Sequence, residues 1–415
     1  MGHAYIPITA ERRWRENADS ACTARALSRA ELIVEGGRAL YVEPVVFVTS
    51  GDRVLLAGKP SYLFAPVPGG ATFDALSRNV VFGAVISPDG SARTVPSPDV
   101  NAGKVAAIAG AAAGEGAWRL IFAELDSMAT DGLQTVGAFW HGIYDGERWS
   151  SVERLPPPPD NDLFYYNSSR LAENGDTIVW AARTNMPPRN LGVVVYERTP
   201  AGWSYRVAGP SGVAYVQVAH SRTLGFTLAL VYPDPALYED TNSLFFYRRR
   251  SDWELVRKVV AGGEGAIHRP LLNLWGDSGV LTWKTYIRDQ AGTRIEFRGM
   301  VGEIGQRNER LLVIDGRNAE GRSTLITHDG RILWVTDHVT GSGGERELQL
   351  RQPAGDSTAV LWRTPYPYRG PLAATVYSHS DLMTVGPKLD EARQLLVSVV
   401  LRLRLDCGQN SKPGR

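Results

Sequence analysis

The chain has 415 residues, of which 43% are hydrophobic and 21% are charged, enough for one large core or for two to three ordinary domains. Lysine and arginine total 45 against 44 acidic residues, which argues against nucleic-acid binding through bulk positive charge but leaves room for a local basic patch. No apolar run approaches the roughly 18 residues that a membrane-spanning helix needs.

The first segment, "MGHAYIPITAERRWRENADSA", is mixed and charged and shows no apolar core of a secretory signal peptide. We therefore expect either a cytosolic protein or a mature form from which a signal was removed. Residues 9–30 are rich in alanine and arginine, with Thr9 as a possible N-cap, and predict a short helix. The next segment, "ELIVEGGRALY" at residues 31–41, reads as a strand with no sequence neighbour to pair with.

A strand that follows a tight turn and ends in tryptophan recurs along the rest of the chain. The stretches "NGDTIVW", "GDSGVLTW" and "HDGRILW" end at Trp180, Trp283 and Trp334. Trp283 and Trp334 are 51 residues apart, and Trp180 precedes Trp283 by about twice that distance. A recurrence of about 50 residues with several short strands per copy is typical of propeller blades. The 43 glycines and 25 prolines, spread between short apolar runs, suit the same all-β class.

These repeats predict an all-β fold, a β-propeller of seven four-stranded blades, with six blades as the alternative if residues 320–407 form one enlarged unit. Short turns join strands a to b and c to d in each blade. Trp149, Trp203 and Trp253 each follow a c–d turn, and we expect them to pack blade against blade. The expected blades are 41–98, 99–157, 158–210, 211–262, 263–319, 320–366 and 367–407.

The last blade lacks an obvious fourth strand, so an N-terminal strand is expected to complete it and close the ring. We expect residues 31–41 to pair with residues 396–405. This closure would bring Cys22 and Cys407 to the same side of the molecule. They are then either two unrelated thiols or a disulfide, and a disulfide would indicate an extracellular or periplasmic setting. The domain boundaries follow: an extension with a helix at 1–30, one propeller domain at 31–407 and a tail at 408–415.

The binding site is expected on the face that carries the b–c and d–a connections, because these loops are long and irregular and the opposite turns are short. Tyrosine, histidine and arginine from several blades could converge there on a polar or anionic ligand. The candidate catalytic residues are His268, His338, Tyr166 and Tyr368. The candidate substrate-binding residues are Arg183, Asn185, Asp234, Arg269, Lys284, Tyr286, Asp337 and Arg369.

Specific catalytic motifs are absent: the chain has no HExxH, paired CxxC, GxSxG or Walker-type phosphate loop. No local metal-ligand motif occurs and nothing identifies a cofactor, although a metal site assembled across blades stays open. His141, His220, His328 and His379 fall at outer strands or at a–b turns, where a structural role is expected. His268 and His338 remain because they fall at strand ends that approach the channel.

The repeat length and the turn, strand and tryptophan rhythm resemble the sialidase-like, BNR-type propellers of carbohydrate-active enzymes and lectins. Their Asp-box, S-x-D-x-G-x-T-W, does not occur, and "SPDGSARTV" from Ser87 has its glycine one position early. We therefore transfer no sialidase catalytic residue. Propeller polysaccharide lyases are a looser analogy, in which tyrosine and histidine act as base and acid while arginine neutralises a uronate.

Two functions fit these features. The first is a carbohydrate-active enzyme, a lyase or glycoside hydrolase acting on a polar or anionic glycan at the channel face. His268 or His338 would be the general base or acid and Tyr166 or Tyr368 its partner, with Arg183, Arg269 or Lys284 binding the charge. The alternative is a lectin-like or protein-interaction propeller without chemistry, with several similar shallow sites lined by tryptophan or tyrosine. The oligomeric state stays open.

Overall fold

The computed structural model describes most of the chain between residues 22 and 407. The described ranges are 22–64, 80–100, 105–128, 134–156, 164–165, 171–174, 177–186, 190–209, 213–233, 242–261, 266–289, 292–303, 310–315, 320–327, 330–340, 345–354, 357–368, 372–378, 380–391 and 395–407. In these residues no helix is long and apolar enough to cross a membrane.

Seven sheets, antiparallel apart from one short parallel pairing in blade 1, form a closed ring, which confirms the seven-bladed propeller. The chain enters with β1 (Cys22–Glu31), β2 (Ile33–Val34), a 3-10 turn (Glu35–Gly37) and β3 (Arg38–Tyr41). Blade 1 contains β4 (Pro44–Ser50), β5 (Arg53–Phe64), β6 (Val80–Ile86) and β7 (Ala92–Val95), and blade 2 contains β8 (Val105–Ala112), β9 (Trp118–Met128), β10 (Gln134–Tyr144) and β11 (Trp149–Arg154). Blade 3 contains β12 (Phe164–Tyr165), β13 (Leu171–Asn174), β14 (Thr177–Met186), β15 (Asn190–Thr199) and β16 (Gly202–Ala208).

The remaining blades follow the same order. Blade 4 contains β17 (Tyr215–Ser221), β18 (Gly225–Pro233), β19 (Asn242–Arg249) and β20 (Trp253–Ala261), and blade 5 contains β21 (Ala266–Trp275), β22 (Ser278–Asp289), β23 (Gly292–Glu303) and β24 (Arg310–Asp315). Blade 6 contains β25 (Glu320–Ile326), β26 (Ile332–Thr340), β27 (Glu345–Ala354) and β28 (Ser357–Pro365). Blade 7 contains β29 (Ala373–Val376), β30 (Asp381–Asp390), β31 (Leu395–Cys407) and the N-terminal β1. The innermost strand of each blade, which is β13 in blade 3 and the first strand in the other blades, contacts the innermost strands of both neighbours, so these strands line the central channel.

An N-terminal strand does complete the last blade, but it is β1 and not the expected residues 31–41. β1 pairs antiparallel with β31, from Cys22 opposite Cys407 to Glu31 opposite Val399. Residues 33–41 instead form a hairpin that turns at the positive-φ glycines Gly36 and Gly37 and adds to the sheet of blade 1. Two adjacent glycines adopt positive φ angles readily and therefore favour a tight turn. Because of this turn, the segment cannot continue as one long strand.

The expected short helix over residues 9–30 is wrong for the part that the structure describes, because residues 22–30 belong to β1. Alanine and arginine have good intrinsic helix propensity, but pairing with β31 overrides this local preference. Residues 9–21, like the tail at 408–415, lie outside the described residues.

The two cysteines form a disulfide at the point where the ring closes. Cys22 and Cys407 are direct cross-strand partners with their Cα atoms 4.1 Å apart, and the bond joins residues separated by 385 positions. A covalent bond thus reinforces the hydrogen-bonded closure of the ring. Such a bond persists in oxidising compartments and is consistent with an extracellular or periplasmic location.

The hydrophobic core is divided among the contacts between blades. In the described residues one apolar cluster fills each of the seven interfaces, including that between blades 7 and 1. The strand-ending tryptophans lie in these clusters, and Trp180, Trp283 and Trp334 are all buried. Each repeat buries its apolar face only against its neighbour, which explains why the pattern must recur around the ring.

The tryptophans after the c–d turns pack each blade against the preceding one, as the sequence predicts. Trp149 meets Phe82 edge to face at 5.2 Å and donates a hydrogen bond to the Pro96 carbonyl of blade 1. Trp203 packs on His141 of blade 2 at 5.4 Å. Trp253 donates to the buried Glu197 carboxylate of blade 3 at 3.1 Å. These contacts hold the outer parts of the blades together.

His141 gives the stability of the protein a specific pH dependence. It is fully buried between blades 2 and 3, and its Nδ1 lies 2.9 Å from Glu153. Burial lowers the pKa of His141, although the Glu153 contact opposes this shift. Below pH about 6.5 the unfolded chain takes up a proton that the folded protein resists, so the free energy of unfolding falls as the pH falls.

We therefore expect denaturant unfolding at pH 7.5 and pH 5.5 to show a larger loss of stability for the wild type than for His141→Gln. His220, whose pKa burial also lowers, is present in both proteins and cancels in this comparison. An identical loss in the two proteins would show that His141 does not contribute.

Candidate functional site

Most of the face expected to bind the ligand is made of connections outside the described residues. This applies to the candidates Tyr166, Asp234 and Arg369. The backbones of Arg183 and Asn185 lie near the end of β14, and that of Arg269 lies in β21, but their side chains are not among those that the structure describes. The site therefore has to be built from the strand ends beneath these connections.

Four side chains gather at the channel end of blades 4 and 5, and we call them the inner cluster: Tyr215, His268, Lys284 and Tyr286. The Tyr215 hydroxyl lies 3.1 Å from His268 Nδ1. The Tyr286 ring meets the imidazole edge to face, with centroids 4.8 Å apart. Lys284 Nζ lies 5.1 Å from the centre of the Tyr286 ring. Three of these residues were predicted from the sequence, and the structure brings them into contact.

Strand register explains the assembly of the inner cluster. Ala266 pairs with Tyr286 and His268 pairs with Lys284, so the hairpin of β21 and β22 places the two members of β22 beside the imidazole. The register shifts between His268 and Leu271, an irregularity at the channel end of the first strand. Bulges of this kind re-aim side chains and are frequent beside functional sites. Tyr215 comes from the start of the same strand one blade earlier.

The inner cluster has one solvent-exposed side and one buried side. The Tyr286 side chain is 37% exposed, whereas Lys284 is only 8% exposed. An ammonium held in such surroundings interacts more strongly with a bound anion than one in bulk water does. The face of the π-system of Tyr286 is itself attractive to the cation. The arrangement therefore presents a positive charge, two phenols and an imidazole to one region of the channel mouth.

His338 belongs to a second arrangement, the rim pair of His338 and Asp315. Nδ1 of His338 lies 2.9 Å from both carboxylate oxygens of Asp315, which ends β24 of blade 5. Asp315 is buried, and Arg351 Nη2 approaches it at 3.3 Å. No contact between described residues joins His338 to His268, so the two histidines are parts of separate clusters.

The candidate Asp337 precedes His338 in the sequence, and its side chain faces a different blade interface from that of His338. Its fully buried carboxylate is bound by Arg346, whose guanidinium also lies 5.1 Å from the centre of the Tyr366 ring. The candidate Tyr368 is buried between blades 6 and 7, with its hydroxyl 2.7 Å from Thr384 Oγ1. Burial raises the pKa of Tyr368 above its ordinary value, so the phenol is held neutral. Its surroundings are those of a packing residue.

Sequence reasoning missed Tyr215, Asp315, Arg346 and Arg351. Tyr215 precedes His268 by 53 residues, about one repeat, and a search for polar residues one repeat apart at strand starts would have found it. The other three are charged residues whose partners lie on another strand or another blade. The sequence around these three residues does not distinguish them from charged residues that are simply exposed to solvent.

A separate cavity of about 300 Å³ lies in the channel toward the a–b turns. Its walls come from the innermost strands of blades 3 to 6. The polar residues of the lining are Glu173, His220 and Asn273. Glu173 forms an ion pair with Arg119 at 2.9 Å. His220 packs on Phe226, in agreement with the structural role expected for it.

Comparison with known proteins shows the fold. Neither a protein-family profile nor a curated protein sequence matches the chain. The polysaccharide lyase Uly1 has a TM-score of 0.52 at 8% identity, with 94% of this chain and 95% of that chain covered. Hydrazine synthase of Kuenenia stuttgartiensis has a TM-score of 0.51 at 10% identity, covering 86% and 94%. The endosialidase of phage phi92 has a TM-score of 0.45 at 9% identity, covering 96% and 71%.

The first two similarities show that the chain shares a propeller fold with enzymes of unrelated chemistry. At such identities they show the fold alone, and a TM-score of 0.45 adds no argument to it. The propeller fold expected from the repeats is therefore confirmed at the level of the fold alone.

Proposed function

We propose that the protein is a carbohydrate-active propeller, and that its reaction is the lyase cleavage of a uronate-containing glycan at the inner cluster. The observation that carries this proposal is the contact of an imidazole with two phenols beside a buried ammonium. A lyase needs a base, an acid and a positive charge near one sugar unit, and these four side chains supply all three.

The first requirement is to make the C5 proton of the uronate acidic enough to remove. Lys284 would lie beside the carboxylate and neutralise its charge, which stabilises the negative charge that builds up as the C5–H bond breaks. Burial of the lysine strengthens this effect because water screens the charge poorly there.

The second requirement is a base and an acid on the two atoms that react. With Nδ1–H of His268 donating to the Tyr215 oxygen, Nε2 has the lone pair that accepts the C5 proton. The C4–O bond then breaks, a C4=C5 double bond forms, and the Tyr286 hydroxyl gives its proton to the leaving oxygen. Tyr286 suits this role because it is the most exposed member of the cluster that also contacts His268.

A glycoside hydrolase fits this cluster less well than a lyase. Hydrolases of the common type place two carboxylic acids on either side of the bond. The inner cluster instead consists of phenols, an imidazole and an ammonium. The fold shared with the polysaccharide lyase Uly1 is consistent with the lyase reaction. A secreted or periplasmic location, which the disulfide favours, would give the protein access to polymeric glycans.

The direct test is incubation of the purified protein with a panel of uronate-containing polysaccharides and neutral controls. We expect ultraviolet absorbance from the C4=C5 double bond with at least one uronate polymer and none with the neutral ones. New reducing ends without this absorbance would indicate hydrolysis and contradict the lyase reaction. Binding to a glycan array without any turnover would support the lectin-like alternative.

A further inference from the structure

The rim pair joins blades 5 and 6, whereas the contact of Tyr215 with His268 in the inner cluster joins blades 4 and 5. Thr282 of β22 bonds to Thr324 of blade 6 through their hydroxyls, 2.7 Å apart, so this face of β22 looks toward blade 6. Lys284 is two residues farther along the strand and shares that face. His338, on blade 6, reaches back to blade 5 through its bond to Asp315.

Register gives the separation between the two clusters. His268 pairs with Lys284, Lys284 with Phe297 and Phe297 with Asp315, so these residues cross blade 5 at one height from the first strand to the fourth. Neighbouring strands lie about 4.8 Å apart, which places Asp315 roughly 14 Å from His268. His338 is therefore too far from the inner cluster to act on the same bond, and a sugar unit in contact with it would be a different unit of the bound chain.

The bonding of Asp315 fixes the chemical form of His338. A carboxylate only accepts hydrogen bonds, so the ring must carry its proton on Nδ1 at this contact. Arg351 approaches the same carboxylate and is itself held by Gln349 and by the Ile314 carbonyl, so the charge of Asp315 is already compensated.

In the neutral ring this tautomer leaves the lone pair on Nε2, which has no hydrogen-bond partner among the described residues, while the side chain remains 20% exposed. A lone pair beside an acidic residue accepts a hydrogen bond from a hydroxyl and disfavours an anion. We propose that the rim pair is a second subsite for the glycan bound at the inner cluster, at which His338 Nε2 accepts a hydrogen bond from a hydroxyl group of a neutral sugar unit. Asp315 and Arg351 are its positioning residues. The identity of the ligand as a glycan rests on the proposed function.

The first test needs no ligand. Nitrogen-15 NMR of the histidine side chains distinguishes the two neutral tautomers, and His338→Gln assigns the signal. We expect His338 in the wild type to be protonated on Nδ1. In Asp315→Asn the side-chain amide can donate to Nδ1, so we expect the proton to move to Nε2. A wild-type His338 already protonated on Nε2 would overturn the inference.

The second test measures binding of two uronate-containing oligosaccharides by calorimetry, one with free hydroxyls on its neutral units and one with these hydroxyls methylated. The wild type should bind the free form about tenfold more tightly, the effect of one good hydrogen bond. His338→Gln, and independently Asp315→Asn, should reduce this preference, whereas His268→Gln should keep it.

The outcomes separate this inference from the lyase proposal. If glycans are cleaved but the preference is the same in wild type and both rim-pair variants, the subsite is wrong and the lyase proposal stands. If no glycan is cleaved but binding still depends on His338 in this way, the subsite stands and the lyase reaction is wrong. If neither oligosaccharide binds the wild type, the subsite is refuted.

Discussion

Replacing His268 with glutamine is expected to lower turnover of a uronate polymer by about a hundredfold to ten-thousandfold, the usual contribution of a general base. Glutamine keeps hydrogen-bonding capacity toward Tyr215 but cannot accept the C5 proton. Because binding of the uronate depends on Lys284, KM should change much less than kcat. The measurement is the initial rate of ultraviolet absorbance over a range of polymer concentrations.

The matched control is His220→Gln, since this histidine lines the same channel at the opposite end. It should keep turnover within about twofold of the wild type, while Lys284→Met should mainly raise KM and also lower kcat. Circular dichroism and melting temperature establish that each variant is folded. Wild-type turnover by a folded His268→Gln protein would exclude the inner cluster as the reaction centre.

Removing the disulfide is expected to have the largest effect on stability. Cross-linking residues 385 positions apart restricts nearly the whole unfolded chain, and the chain-entropy model gives about 5 to 6 kcal/mol for such a loop. For a chain of this length, that change lowers the melting temperature by about 5 to 8 °C. We therefore expect the double variant Cys22→Ser, Cys407→Ser to melt lower than the wild type by this amount.

Reduction provides the control for this experiment. Wild-type protein treated with a thiol reductant should gain the mass of two hydrogen atoms, because each sulfur becomes a thiol, and should then melt at the same temperature as the double-serine variant, which the reductant leaves unchanged. Full alkylation of both cysteines in native, unreduced protein would show that the bond is absent. Turnover should survive at moderate temperature, because hydrogen bonds between β1 and β31 still close the ring.

The fold could be predicted from the sequence because every blade carries the same sequence pattern, so the evidence for a propeller occurs several times along the chain. Seven copies of the same turn, strand and apolar pattern point to one architecture, and an error in any copy does not change the conclusion. The strand that closes the ring, β1, has no counterpart in the other repeats, so its secondary structure had to be predicted from its own sequence alone. Its alanine and arginine content favours a helix in isolation, and only the distant β31 makes it a strand.

A difference between local and distant contacts also explains which parts of the candidate site could be predicted. His268, Lys284 and Tyr286 come from one hairpin, so their proximity follows from strand pairing within about 20 residues of sequence. The contacts of Tyr215 with His268 and of Asp315 with His338 join different blades. They depend on how far each blade is rotated against the next, which the pattern of apolar residues does not specify.

The composition of blade 7 constrains the order in which the protein can be completed during synthesis. β1 leaves the ribosome first among the described strands and β31 last, and each is the other's neighbour in one sheet. Earlier blades can form as they emerge, since each needs only adjacent sequence. β1 therefore remains unpaired until β31 has been synthesised. A chain released before that point would leave β1 and the incomplete sheet of blade 7 with exposed edges. Completion of the ring thus requires synthesis to have continued through β31.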